Sequence, residues 1–212
     1  MERQGVLVVD LDGVLFDAKK FKAPFFEMLG LVTGTDPVVA YEAVKKRRNF
    51  YDADLHFSEM ARSAGRGDWM PRLLKASTFS LLKDNPGVFL TEDALDFLEE
   101  ANRMFSKIVL ATRGTEWFQI AKIESSGINT LVSSVFYVQE EKKSVIRTDI
   151  NGCRIVFVDD TAEEINAFKV AHPEAFVIHY SPDMVALLAN AKAHSFPELL
   201  KIFKALKGAT RG

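Results

Sequence analysis

Two carboxylates stand one residue apart in the segment Val8-Val9-Asp10-Leu11-Asp12-Gly13-Val14-Leu15. The apolar run Val6 to Val9 precedes the first of them, which places Asp10 at the carboxyl end of a buried strand. In an extended segment, side chains two positions apart lie on the same side, so Asp10 and Asp12 share a face. Like charges this close repel, and the remedy is a cation or a retained proton. Gly13 then lets the backbone turn sharply and gives a ligand close access to main-chain N–H groups. The competing reading is a strand that ends in a polar loop.

Three later segments repeat the pattern of an apolar run ending in chemically useful residues. In Ile108-Val109-Leu110-Ala111-Thr112-Arg113-Gly114, Thr112 can donate to a phosphate oxygen, and the N–H groups of Arg113 and Gly114 can assist. Ordinary turn chemistry explains Thr-Arg-Gly equally well. Lys142-Lys143 follow the apolar run Val135 to Val138, at the start of a short helix carrying Val145 and Ile146. Either lysine can balance carboxylate and phosphate charge, although most exposed lysine pairs are simply solvated. Arg154-Ile155-Val156-Phe157-Val158-Asp159-Asp160-Thr161 ends in a second acidic pair, whose hard oxygens suit Mg²⁺. Glu164 either adds an oxygen behind that pair or closes a capping box with Thr161.

The elements that must position these residues are legible as short apolar runs, Val6 to Val9, Ile108 to Ala111, Val135 to Val138, Ile155 to Val158 and Phe176 to His179, separated by amphipathic stretches. Helices are expected from about Glu92 to Met104 with Thr91 as N-cap, and from Glu116 after Thr115 to a left-handed cap at Gly127. Thr161 to Glu164 and Ser195 to Glu198 fit capping boxes. This alternation argues for an α/β fold with a parallel, Rossmann-like sheet covered on both faces. Between Phe16 and about Pro86 no strand is expected. Asp36-Pro37 opens a helix through about Arg48, and Leu55 to Arg62 and Pro71 to Leu82 read as helical, so this stretch is an α-helical insertion above the carboxyl ends of the strands.

Composition bounds the function. The chain of 212 residues is 48% hydrophobic, enough for a packed interior, which excludes a disordered protein. Its formal net charge of −2 gives no bulk attraction to nucleic acid or to a membrane surface. Cys153 is the only cysteine, so no internal disulfide is possible. No apolar run approaches bilayer length, and Met1 to Gln4 run straight into the first strand, so a cytoplasmic protein, monomeric or weakly dimeric, is expected.

The four segments, in this order and each at a strand end, make the chain resemble the haloacid dehalogenase-like hydrolase superfamily. Asp10-Leu11-Asp12-Gly13-Val14 is close to its first motif; Thr112 fits the second, Lys142 or Lys143 the third, and Asp159-Asp160 the acidic fourth. The resemblance implies a core of residues 1–16 and 87–212 and an α-helical cap of residues 17–86. It implies that Asp10 is a nucleophile forming an aspartyl-phosphate, and that Asp12 is the acid and base. Mg²⁺ would then be held by Asp10, the Asp12 carbonyl and Asp159 or Asp160, and the phosphate by Thr112, its following amides and a lysine. Members resembling the dehalogenases lack the second acid, because a halide needs no proton, so Asp12 favours a phosphatase acting on a small phosphorylated metabolite. A phosphomutase shares every core residue, and a receiver-like module phosphorylated on Asp10 is a non-catalytic alternative that leaves Asp12 and the insertion without a role.

Other signals are discounted. Gly65-Arg66-Gly67-Asp68 reads as a polar turn, and Lys45-Lys46-Arg47-Arg48 as a solvated helix end. His56, His172, His179 and His194 show no metal-ligand spacing. Lys19, Lys20 and Lys22 stand where a cap would meet an acidic substrate, and each is more often solvated.

Overall fold

Each apolar run forms a strand at least one residue longer than itself in the computed structural model, which describes residues 4–48, 50–139, 142–147, 154–182 and 186–208. The strands are β1 (Gln4–Val9), β2 (Phe105–Arg113), β3 (Ser134–Val138), β4 (Ile155–Asp159), β5 (Phe176–Tyr180) and a short β6 (Ala191–Ala193). They build one parallel sheet in the order β3-β2-β1-β4-β5-β6. The sheet therefore fans out from β1, and Asp10 caps a strand with neighbours on both sides. Both faces are covered, so β1 reads as a continuous apolar run rather than an alternation, with Leu7, Val8 and Val9 fully buried.

The helices are α1 (Ala18–Thr33), α2 (Pro37–Arg47), α3 (Ala53–Ser63), α4 (Trp69–Lys83), α5 (Ala94–Met104), α6 (Glu116–Ser126), α7 (Ala162–Ala171) and α8 (Phe196–Gly208). Strand periodicity sorts the core. Val6, Val8, Val109, Ile155 and Phe157 face α7, where Phe157 stacks on Phe168 at 3.9 Å between centroids. Leu7, Val9, Ile108, Leu110, Val156 and Val158 face the other side, packed with residues of α5, α6 and α8, where Phe97 stacks on Phe196 at 4.5 Å.

Among the described residues, no strand lies between β1 and β2, and α1–α4 occupy that interval. The chain leaves and re-enters the sheet side by side: Asp17 N donates to the Phe89 carbonyl at 2.8 Å and Thr91 N to that of Leu15 at 2.9 Å. Phe21, Phe25 and Phe57 of the insertion join the same apolar cluster as the sheet, meeting it through Phe118 of α6.

Several expectations need correction. The helix at α5 begins at Ala94 and not Glu92; Asp93, at φ 62°, precedes it, and no side chain caps it. Thr115 and Thr161 occupy N-cap positions without making the cap bond, the Thr115 hydroxyl accepting instead from Ala53 N of α3 at 2.8 Å. Lys142–Arg147 form a 3₁₀ segment. Cys153 lies outside the described residues. No described helix is long and apolar enough to cross a membrane.

Candidate active site

The carboxyl edge of the sheet gathers the candidates. Val9 is level with Leu110 on one side and Val158 on the other, so β1 ends beside the strand whose penultimate residue is Thr112 and the strand that ends in Asp159. Asp10 N donates to the Val158 carbonyl at 3.0 Å, and Asp10 Oδ1 lies 2.6 Å from Leu11 N, so the backbone fixes its direction. Gly13 turns at φ 87°, and a Cβ there would lie 2.0 Å from Asp160 Oδ2. Only glycine lets the two acidic loops close on each other.

Lys142 is the lysine that reaches the acids. Its Nζ lies 2.7 Å from Asp10 Oδ1 and 2.7 Å from Asp159 Oδ2, with side-chain exposures of 4%, 6% and 0% for the three residues. Lys143, the other candidate, is exposed, and its carbonyl meets His172 Nε2 at 3.0 Å. Adjacent residues on a tight 3₁₀ segment point in different directions, so one lysine enters the site and its neighbour leaves it.

Carboxylate oxygens of Asp10, Asp159 and Asp160 lie within 4.8 Å of one another. Three acids facing one ammonium leave excess negative charge in a confined space, which is the charge and donor set that a hard divalent cation satisfies. Burial raises the Asp10 carboxyl well above the usual range; Lys142 pulls it back, and Asp159 and Asp160 push it further up. Burial works against the Lys142 ammonium, but Asp10 and Asp159 outweigh it and hold its pKa above the ordinary lysine value. Asp160, at the open rim, is raised to about 6, first by reduced hydration in the cleft and then by Asp159, with a smaller push from Asp12. The Asp12 carboxylate is not part of this cluster: Lys122 Nζ reaches both of its oxygens.

Thr112 is buried, and its Oγ1 has no hydrogen-bond partner among the described residues. A buried hydroxyl at a strand end normally finds a partner, so an oxygen-rich ligand is the natural one. The neighbouring amide expected to help is already committed, since Gly114 N donates to the Val138 carbonyl at 3.2 Å, extending the β2–β3 pairing. The Arg113 guanidinium turns to Glu164 Oε1 at 2.8 Å. Glu164 does not close a capping box. Its other oxygen accepts from Lys142 N at 3.0 Å, so one buried carboxylate ties the β2 end to the lysine segment.

Sequence reasoning passed over other residues that shape the site. His179 Nδ1 accepts from Ala186 N at 2.9 Å, so its Nε2–H donates to the Asp160 carbonyl at 3.0 Å and steadies the acidic loop. Gln119 and Lys122 are polar residues on a buried helix face beside Phe118, Ala121 and Ile123. That interruption of an apolar face was their only signal.

No protein-family model matches the sequence, and no curated protein matches it. Solved structures do. A haloacid dehalogenase-like hydrolase from Burkholderia xenovorans superposes with a TM-score of 0.75 at 20% identity, covering 95% of this chain and 97% of that one. The hydrolase YfnB from Bacillus subtilis, bound to magnesium, gives 0.71 at 16% identity over 96% and 100% of the two chains. CbbY from Rhodobacter sphaeroides, in complex with phosphate, gives 0.65 at 16% identity over 92% and 96%. Dehalogenases are among the similar structures as well. At such identities the likeness establishes the fold.

Proposed function

We propose that this chain, whose fold is that of the haloacid dehalogenase-like hydrolases, is a magnesium-dependent phosphatase that hydrolyses a small phosphorylated metabolite through an aspartyl-phosphate on Asp10. The observation that carries the reading is the convergence of Asp10, Lys142 and Asp159 at one sheet edge, near a buried Thr112 hydroxyl that has no partner among the described residues. Asp12 favours phosphoester over halide chemistry, because an alkoxide leaving group needs a proton.

In this mechanism the free oxygen of Asp10 attacks phosphorus. The bond to the leaving oxygen breaks as Asp12 delivers its proton. Thr112 and Lys142 hold the equatorial oxygens, where charge is spread during transfer. Water then attacks the phosphorus of the acyl phosphate, its proton returns to Asp12, and Asp10 is regenerated as inorganic phosphate leaves. Mg²⁺, held by Asp10, the Asp12 carbonyl and Asp159 or Asp160, would supply charge neutralisation and orient the phosphoryl group. Residues 1–16 and 87–212 serve as the catalytic core and residues 17–86 as a cap that limits water at the acyl phosphate.

Purified protein should release phosphate from an aryl phosphate only when Mg²⁺ is present. Asp10→Asn should lower that rate by at least about a thousandfold. Activity that survives the substitution overturns the proposal.

A further inference from the structure

The Asp12 carboxylate is held against the face of α6. Lys122 Nζ donates to its two oxygens at 2.8 and 2.9 Å, and Gln119 Nε2 donates to Oδ2 at 3.2 Å. The Lys122 side chain is 5% exposed while that of Asp12 is 31% exposed, so the acid has one held side and one side open to the cleft.

Keeping a lysine there takes a built environment. Nζ lies 4.5 Å from the ring centroid of Phe118, 5.1 Å from Phe16 and 5.9 Å from Phe21. These rings stabilise the ammonium through their faces and dry the space around the pair. Gln119 is equally constrained. Its Nε2 faces two acceptors, Asp12 Oδ2 and the Arg113 carbonyl at 3.0 Å, so turning the amide over would set oxygen against oxygen. Gly114, at φ 141°, leaves room for it, since a Cβ there would lie 2.8 Å from Gln119 Nε2.

We infer that Lys122 and Gln119 are positioning residues for proton transfer at Asp12, an inference that rests on the phosphatase reading above. Next to the Gly13 turn and partly solvated, an untethered Asp12 side chain would spread over the staggered rotamers, and only part of that population would face the leaving oxygen. Lys122 and Gln119 confine it to one. When Asp12 gives its proton to the leaving oxygen, the resulting carboxylate presents the acceptors that these donors already face. The proton that returns to Asp12 comes from the attacking water, and none passes through Lys122.

The test is the leaving-group dependence of turnover in wild-type and Lys122→Met protein, with Mg²⁺, on phenyl phosphate and 2,4-dinitrophenyl phosphate. Phenolate needs the proton and dinitrophenolate does not. The variant should lose about a hundredfold in kcat/KM on phenyl phosphate and less than about threefold on the dinitrophenyl ester, because kcat/KM reports the steps through aspartyl-phosphate formation and leaves out its hydrolysis, where Asp12 serves both esters alike. Gln119→Met, which removes one of the three contacts, should shift the ratio in the same direction by about three- to tenfold and covers the case in which Lys122→Met does not fold. In an Asp12→Asn background, Lys122→Met should cost nothing further on phenyl phosphate. Equal losses on the two esters, or an undiminished loss in that background, overturn the positioning role and leave the phosphatase reading standing. Wild-type protein that hydrolyses neither ester overturns the reading beneath it and the inference together.

Discussion

The Asp10–Lys142 pair and the Asp12–Lys122 pair start from acids one residue apart, yet they occupy different kinds of space. Side-chain exposure is 6% and 4% in the first pair, against 31% and 5% in the second. Lys142 is also shared with Asp159, whereas Lys122 serves Asp12 alone among the described ion pairs. The first arrangement concentrates charge where hydration cannot relieve it, which suits a nucleophile and a cation. The second leaves its acid one wet side, which suits a group that must exchange protons. Two carboxylates that follow one strand end thus reach the same sheet edge, but their environments are set by elements far away in sequence.

The largest expected effect separates the two pairs by stability. Lys142→Met strands Asp10 and Asp159 in a dry site, and should destabilise the metal-free protein by about 3–5 kcal/mol in denaturant unfolding. Added Mg²⁺ should recover part of that loss through preferential binding to the folded state. A loss below that of Lys122→Met would break the comparison.

A buried group in the insertion provides a calibration. His56 accepts from the Tyr51 hydroxyl at Nδ1, 2.7 Å, and donates from Nε2 to the Pro37 carbonyl, 3.0 Å, which fixes a neutral ring. Burial lowers it from 6.5 to about 4, with the Pro37 bond opposing. Between those values the unfolded chain binds the proton and the folded chain does not. Stability is therefore full above pH 6.5 and falls as pH drops towards 4, by up to about 3 kcal/mol. His56→Phe should flatten that slope in unfolding midpoints measured across the window. A slope that persists unchanged would assign it to other groups.

The smallest of these effects is at the second pair. Lys122→Met should cost about 1–2 kcal/mol, because Asp12 can turn to water while the aromatic pocket keeps an apolar occupant. A cost of 3–5 kcal/mol would mean that the pair is a structural ion pair rather than a holder for a working acid.

Residues whose placement follows from standing at a strand end were legible in the sequence. Asp10, Thr112, Asp159 and Asp160 each follow an apolar run, and parallel pairing brings such ends together whatever the helices do. Residues whose roles depend on direction within irregular backbone were not. Nothing local distinguishes Lys142 from Lys143, and the Gly114 amide could be assigned only once β3 was seen to take it. Glu164 matched a capping pattern with Thr161, but a buried bond to Arg113 and Lys142 N outweighs a solvated cap. Within the fold, α1 carries Pro24 inside its span, a residue that argues against a helix interior, although Phe21, Phe25 and Leu29 keep the four-residue spacing of a buried helical face. β6 is only Ala-Lys-Ala, strand by pairing with β5 and not by propensity.

In the proposed mechanism Asp10 carries the phosphoryl group. Enzyme quenched during turnover of an aryl phosphate with Mg²⁺ and reduced with borohydride would convert an aspartyl-phosphate to homoserine at that position. Peptide mass spectrometry should find homoserine at position 10 in wild-type protein and none in Asp10→Asn. Steady phosphate release with an unmodified Asp10, or with the reduction product at Asp12, would contradict the account.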